Sequence, residues 1–127
     1  MKDDCLCEPA EILIFPCSGG SNVGKIANQA AMDLTTLHKG KMYCLAGIGG
    51  HVNSIIETTK AAKTLVVIDG CQVQCAKKTL EHAGFHVDVH VVVTELGIKK
   101  IYDFMADLND LNKVVDSVTR PLQGKMR

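Results

Sequence analysis

Short apolar runs alternate along the chain with longer stretches in which apolar residues recur every three or four positions. The runs at 11–15 and 64–69 are short and mostly apolar, which is typical of strands buried on both faces of a parallel sheet. Residues 42–45 form a second short apolar run, and 87–94 are rich in β-branched residues, which strands favour. The pattern therefore predicts four strands.

The intervening stretches predict helices, because their apolar residues fall on one face at helical spacing. We expect helices over about 21–37, 51–62 and 72–83, with Ser21 as the N-cap of the first. The tail carries a weaker apolar stripe that runs to about residue 118 and predicts a last helix from about Asn109.

Strands that alternate with helices imply βαβ units, a parallel sheet and right-handed crossovers. For four strands we predict the order 2-1-3-4, the short form of the doubly wound arrangement. The fold class is thus a single α/β domain with three layers, in which helices cover both faces of the sheet. This domain spans residues 11–127 and follows an N-terminal extension, residues 1–10, that contains a Cys-x-Cys motif.

Composition removes several classes of function. Lys plus Arg and Asp plus Glu are equal at 14 each, and aromatic residues make up only 4%, so neither a nucleic-acid surface nor a membrane surface is predicted. The first residues have two acids and no apolar core, unlike a signal peptide. We expect a soluble, cytoplasmic protein, and the sequence does not indicate a protein partner.

The chain contains six cysteines, and their positions are the main clue to its function. Cys17 follows the first predicted strand, Cys44 lies near the end of the second and Cys71 follows the third, and successive cysteines in this set are 27 positions apart. Parallel strands about 4.8 Å apart would bring these thiols together at the carboxyl edge, where ligands bind in such sheets. Cys75 lies four residues after Cys71, and we expect both on one helix face.

Four thiols at one edge predict a metal site, with Zn²⁺ as the expected ion and metal as the expected partner. A site closed by four thiolates favours a structural, storage or sensing role, and the absence of an evident general base beside a nucleophile favours a non-enzymatic protein. Two alternatives use the same cysteines. One is a thiol-disulfide redox protein, and the other is an iron-sulfur protein.

Three segments together form a recognisable pattern: 17–25, 47–51, and Asp69-Gly70-Cys71 with Cys75. They resemble the DGC-domain family, whose hallmarks are a strand-end Asp-Gly-Cys and four cysteines suggested to hold zinc, and the resemblance covers about 11–118. It implies the same four ligands, Cys17, Cys44, Cys71 and Cys75, and a bound metal without a particular reaction.

The glycine-rich loop after the first strand has a second interpretation. Residues 19–25 spell G-x-x-x-x-G-K, but the P-loop motif then requires Ser or Thr, and position 26 is Ile. Nucleotide hydrolysis is therefore not predicted. Binding of a simple anion at the helix N-terminus stays open, with five candidate residues: Ser18, Gly19, Gly20, Ser21 and Asn22.

Four further residues are candidates for an added ligand or for support of the first ligands. His51 follows Cys44 in the same loop, although a surface histidine at a helix start is the more usual case. Asp69 is expected to cap the third helix or to support Cys71. Cys5 and Cys7 suit a second metal site or simply lie in an exposed terminus.

Overall fold

A four-stranded parallel sheet forms the centre of the protein. The computed structural model describes residues 11–104 and 107–123. The strands are β1 (Ile12–Pro16), β2 (Lys41–Met42), β3 (Thr64–Asp69) and β4 (Val89–Val92), in the order β2-β1-β3-β4. All neighbouring strands pair in parallel. The predicted fold class and strand order are confirmed.

The helices are α1 (Asn22–Thr36), α2 (Leu45–Gly49), α3 (Asn53–Ala61), α4 (Cys75–His82) and α5 (Leu108–Gln123). On one side of the sheet α1 packs against α5, and on the other side α4 packs against β3 and α2. The protein thus has three layers. None of the described helices is long and apolar enough to cross a membrane.

The central strands β1 and β3 are buried along their whole length. This burial on both faces explains why their sequences are continuous apolar runs rather than alternating ones. Helix α1 buries the apolar stripe predicted for it, and the Ser21 side chain caps the helix by accepting a hydrogen bond from the Gly24 amide.

The segment after β2 differs from the prediction. The strand ends at Met42, and Cys44 is the N-cap of the short helix α2. His51 has a left-handed backbone conformation with φ 53°, which interrupts the helix before α3 begins at Asn53. The single helix predicted over 51–62 was therefore wrong at its start, and the strand predicted over 42–45 was too long.

The segment after β3 also differs from the prediction. Helix α4 begins at Cys75, not near residue 72, because Gln74 adopts a left-handed conformation with φ 58°. Strand β4 ends at Val92 and passes into a 3₁₀ helix, Val93–Leu96. Helix α5 begins within one residue of the predicted Asn109 but extends beyond 118 to Gln123.

Candidate functional site

A pocket of about 240 Å³ opens at the carboxyl edge of the sheet. The crossover after β1 leads to β2 on one side, whereas the crossover after β3 leads to β4 on the other. Such a switch in direction leaves a crevice between the two central strands, which is where open α/β sheets bind ligands. Two loops, 17–21 and 69–75, contribute most of the pocket wall.

Cys17 is the most enclosed thiol in this pocket. It follows β1, and its amide donates to the Ile68 carbonyl oxygen over 2.9 Å. The Gly70 amide donates to its Sγ over 3.1 Å. Burial raises the pKa of the Cys17 thiol, while hydrogen bonds from the Gly70 and Gly19 amides act in the opposite direction. The metal-free protein therefore keeps this thiol protonated at neutral pH.

Glycine at position 70 allows the two loops to approach each other. A Cβ atom there would lie 3.0 Å from the Gly24 amide nitrogen, a distance that real side chains rarely tolerate. Steric contact thus explains why a glycine lies between Asp69 and Cys71. The close approach of the loops also brings the Gly70 amide within hydrogen-bond distance of the Cys17 sulfur.

Cys71 and Cys75 line the same pocket from the other loop. Cys71 lies in the bend after β3 and is partly buried, whereas Cys75 is exposed and is the first residue of α4. The expectation that the two share a helix face was wrong, because Cys71 precedes the helix. The bend brings both cysteines to the pocket instead.

Cys44 occupies a different position at this edge. It is exposed, and its Sγ accepts a hydrogen bond from the Gly47 amide over 3.3 Å at the start of α2. Its neighbour Leu45 lines the pocket, but Cys44 is not among the lining residues. The structure therefore brings three of the four predicted ligands to one pocket and leaves the fourth beside it.

Asp69 caps helix α4, as expected. It is 1% exposed, and its carboxylate accepts hydrogen bonds from the Ala76 amide at 2.8 Å and the Lys77 amide at 3.2 Å. His90 Nε2 lies 2.9 Å from the Asp69 Oδ2. Sequence patterns do not reveal this contact, because it joins β4 to the end of β3 across 21 positions of the chain.

The remaining candidate residues from the sequence analysis lie at different places relative to the pocket. The His51 ring contacts the His82 ring, with 5.9 Å between centroids, and His51 is not among the residues that line the pocket. Cys5 and Cys7 lie outside the described residues. The loop residues Ser18, Gly19, Gly20 and Ser21 line the pocket.

Asn22, the last candidate of the anion loop, forms hydrogen bonds to another segment. Its Nδ2 donates to the Lys99 carbonyl oxygen, and its Oδ1 accepts from the Ile101 amide. Between these two residues, Lys100 reaches the pocket and lies with its Nζ 3.6 Å from the Cys71 Sγ. Nearby, Tyr102 also lines the pocket.

Sequence reasoning missed Lys100 and Tyr102, because their segment reaches the pocket through hydrogen bonds to Asn22, which is 77 or more positions away in the chain. The neighbouring Cys71 is the main cause that raises the pKa of Lys100, and Tyr102 adds a smaller effect. Lys100 therefore carries its positive charge throughout the neutral range.

The described side chains at the pocket do not form a closed metal site in their present positions. Within residues 11–104 and 107–123, no three His, Cys, Asp or Glu side chains are grouped closely enough to hold a metal as they stand. The chemistry of the pocket nevertheless suits a soft or borderline ion, because three thiols line it. Metal binding by these thiols would therefore require their side chains to move from the positions in this structure.

Comparison with known proteins decides the family. The DGC domain matches residues 13–118. The chain belongs to the DGC-domain family. This DGC domain is 31% identical over 117 residues to the anaerobic and virulence modulator AnvM of Pseudomonas aeruginosa, an alignment that covers 91% of this chain and 89% of that protein. No solved structure matches the chain.

Proposed function

We propose that this DGC domain binds one zinc ion at the carboxyl edge of its sheet, through Cys17, Cys71 and Cys75 with Cys44 as the fourth ligand. The observation that carries the proposal is that three thiols from two loops line one pocket at the switch point of the sheet. Sulfur is a preferred zinc ligand, and structural zinc sites are usually tetrahedral with four protein ligands.

Cys44 is suited to complete the set because it already lies at this edge. It is exposed at the start of α2, and Leu45 beside it touches the pocket. In the metal-free protein the Cys44 sulfur accepts a hydrogen bond from the Gly47 amide. On zinc binding the sulfur would bond to the metal and would either lose this hydrogen bond or keep it. Backbone N–H groups stabilise the charge of a metal-bound thiolate in either case.

A sensing role suits the site better than a purely structural one. Among the residues that the structure describes, 26 hydrophobic residues besides Cys17 are buried, so the interior is packed by apolar side chains rather than built around a metal. The related protein AnvM is named a modulator, which agrees with sensing. We expect a cytoplasmic protein without catalytic activity, in which metal occupancy changes the surface around the pocket.

The first experiment is elemental analysis of untagged protein purified under reducing conditions without added metal. We expect about one zinc ion per chain, as for a closed structural site, and no visible absorption. Protein that is folded and reduced but carries no zinc contradicts the proposal. Iron with inorganic sulfide and a brown colour indicates a cluster instead.

A thiol-redox function is the second candidate, and one observation favours it. The Lys100 ammonium lies beside Cys71, and a neighbouring cation is typical of reactive cysteines. Mild oxidation followed by mass spectrometry distinguishes the two functions. A reversible disulfide between Cys71 and Cys75 or Cys17, formed in zinc-loaded protein without loss of the fold, favours redox chemistry.

A further inference from the structure

Two histidines from different parts of the chain meet on the surface, outside the thiol pocket. The rings of His51 and His82 contact each other with 5.9 Å between their centroids and an angle of 62° between their planes. Both residues are exposed, and neither lines the pocket. The zinc site proposed above therefore does not use this pair.

The two rings meet because the elements that carry them pack together. His82 is the last residue of α4, and His51 lies two residues after the end of α2. Helix α2 packs against α4, and a Cβ atom at Gly49 would lie 3.7 Å from the Thr79 Cγ2. The end of α2 thus lies against the second half of α4, which brings the two histidines together.

The backbone of His51 has a conformation that favours glycine. Its φ is 53°, in the left-handed region that residues with a side chain adopt at a cost in free energy. Two backbone hydrogen bonds close this turn, from the His51 amide to the Ile48 carbonyl oxygen and from the Val52 amide to the Gly47 carbonyl oxygen. Neither bond uses the imidazole, so the turn does not require it. A conformational outlier of this kind points to a role for the side chain itself.

We propose that His51 and His82 form a second metal site, which binds a divalent transition ion such as Zn²⁺, Ni²⁺ or Cu²⁺ on the protein surface. Imidazole nitrogen is a good ligand for these ions. Two imidazoles on one tetrahedral ion, with Zn–N bonds of about 2.0–2.1 Å, have ring centres about 5 Å apart. The observed separation is slightly larger, so binding requires the two exposed rings to move closer together.

This second site is open, unlike a site closed by four thiolates. Within residues 11–104 and 107–123, no three His, Cys, Asp or Glu side chains are grouped closely enough to hold an ion, so the pair supplies two ligands and water fills the other positions. The place of His82 at the C-terminus of α4 adds to the attraction, because the partial negative charge of a helix end favours a cation. An open site holds its ion less tightly than a closed one and suits capture and exchange of metal.

The experiment follows the imidazole proton signals of the full, untagged chain by NMR during titration with zinc chloride under reducing conditions. The chain has five histidines, and the variants assign their signals. The variants are His51→Gly and His82→Gln, and the matched control is His86→Gln, whose side chain is 87% exposed and lies beside Asp88. Glycine adopts the left-handed conformation readily, so His51→Gly removes the imidazole and keeps the turn.

We expect the His51 and His82 signals to shift together, at a lower zinc concentration than those of His38 and His86. Loss of either ring of the pair should weaken zinc binding there by at least about tenfold, a loss typical even of groups that only support a metal ligand. His86→Gln should leave this binding unchanged. His51→Gly should resist urea at least as well as the wild type, because glycine fits the turn.

The inference is wrong if the His51 signal in His82→Gln still shifts at the wild-type zinc concentration, or if His86→Gln weakens binding as much as His82→Gln does. A common shift of all exposed histidines at one zinc concentration would also overturn it, because it would indicate nonspecific binding. The thiol site is tested by zinc retained through purification, whereas the pair is tested by added zinc and by histidine signals. Each proposal can therefore fail without the other.

Discussion

Three cysteines in one pocket have three different surroundings, and these differences set their chemistry. Cys17 is buried and accepts a hydrogen bond from an amide, Cys71 contacts an ammonium group, and Cys75 is exposed at a helix start. A metal must displace a proton from any thiol that is still protonated. The free energy needed to remove the thiol proton on metal binding therefore differs among the three cysteines.

The first prediction separates the ligands from the bystanders. Cys71→Ser or Cys75→Ser should abolish zinc retention in untagged protein, because a site with one thiolate fewer binds zinc much more weakly. The double variant Cys5→Ser/Cys7→Ser is the matched control and should retain about one zinc ion per chain. Elemental analysis of all three proteins checks this, and loss of zinc from the double variant would show that the ligands were chosen wrongly.

A second prediction follows from the raised pKa of Cys17. Burial favours the neutral thiol, so the folded state keeps this proton to a higher pH than the unfolded chain does. The resulting stability is fully present below the unfolded pKa, near the ordinary value of 9.0, and is lost as the pH rises through the folded pKa.

Urea denaturation of metal-free protein at several pH values between about 7.5 and 10.5 measures this effect, since the window brackets the ordinary thiol pKa. The free energy of unfolding should fall more steeply with pH in the wild type than in Cys17→Ala, which lacks the thiol. Parallel pH curves for the two proteins would contradict the burial argument.

At the scale of the elements, the carboxylate of Asp69 links three parts of the structure. It caps α4 through the Ala76 and Lys77 amides and contacts His90 on β4. The cap fixes the start of α4 and therefore the position of Cys75. His90 fixes the carboxylate in turn, so the cap and the neighbouring strand support each other.

We predict that Asp69→Ala lowers the free energy of unfolding of the metal-free protein by about 2 kcal/mol, through loss of the cap and of a buried acceptor. Urea denaturation measures this value. The control is Asp116→Ala on the exposed surface of α5, which should change stability by less than about 0.5 kcal/mol. Similar values for the two variants would contradict the capping role.

Sequence patterns predicted the buried elements better than the ones at the site. Strands β1 and β3 are continuous apolar runs because they are buried on both faces, and this signal is strong. The start of α4 was missed because Gln74 takes a left-handed conformation that residues of its type rarely adopt. The break at His51 has the same cause. Local propensity does not reveal either turn.

At the scale of the whole molecule, strand order determines where the site lies. The order β2-β1-β3-β4 places the crevice between β1 and β3, so the position of the pocket and the cysteines that follow these strands were predictable from the chain alone. Lys100 and Tyr102 were not predictable. They reach the pocket because Asn22 holds their segment across the sheet edge, a contact between residues 77 or more positions apart.

Metal binding would change the charge of the surface around the pocket. The pocket is partly lined by Lys100 and Tyr102, and Tyr102 is 82% exposed. Four thiolates around a divalent ion carry two net negative charges, so the ammonium that contacts the Cys71 sulfur would still be attracted to the loaded site. We expect Lys100 to stay at the pocket on metal binding, beside a surface that has become more negative.

X-ray absorption spectroscopy at the zinc edge, on purified wild-type protein, tests the central claim most directly. The claim is that thiols at the carboxyl edge hold the ion. The account predicts a first shell of three or four sulfur atoms at about 2.3 Å, which decreases by one sulfur or disappears in Cys71→Ser. A first shell dominated by nitrogen or oxygen at about 2.0–2.1 Å would contradict the thiol site.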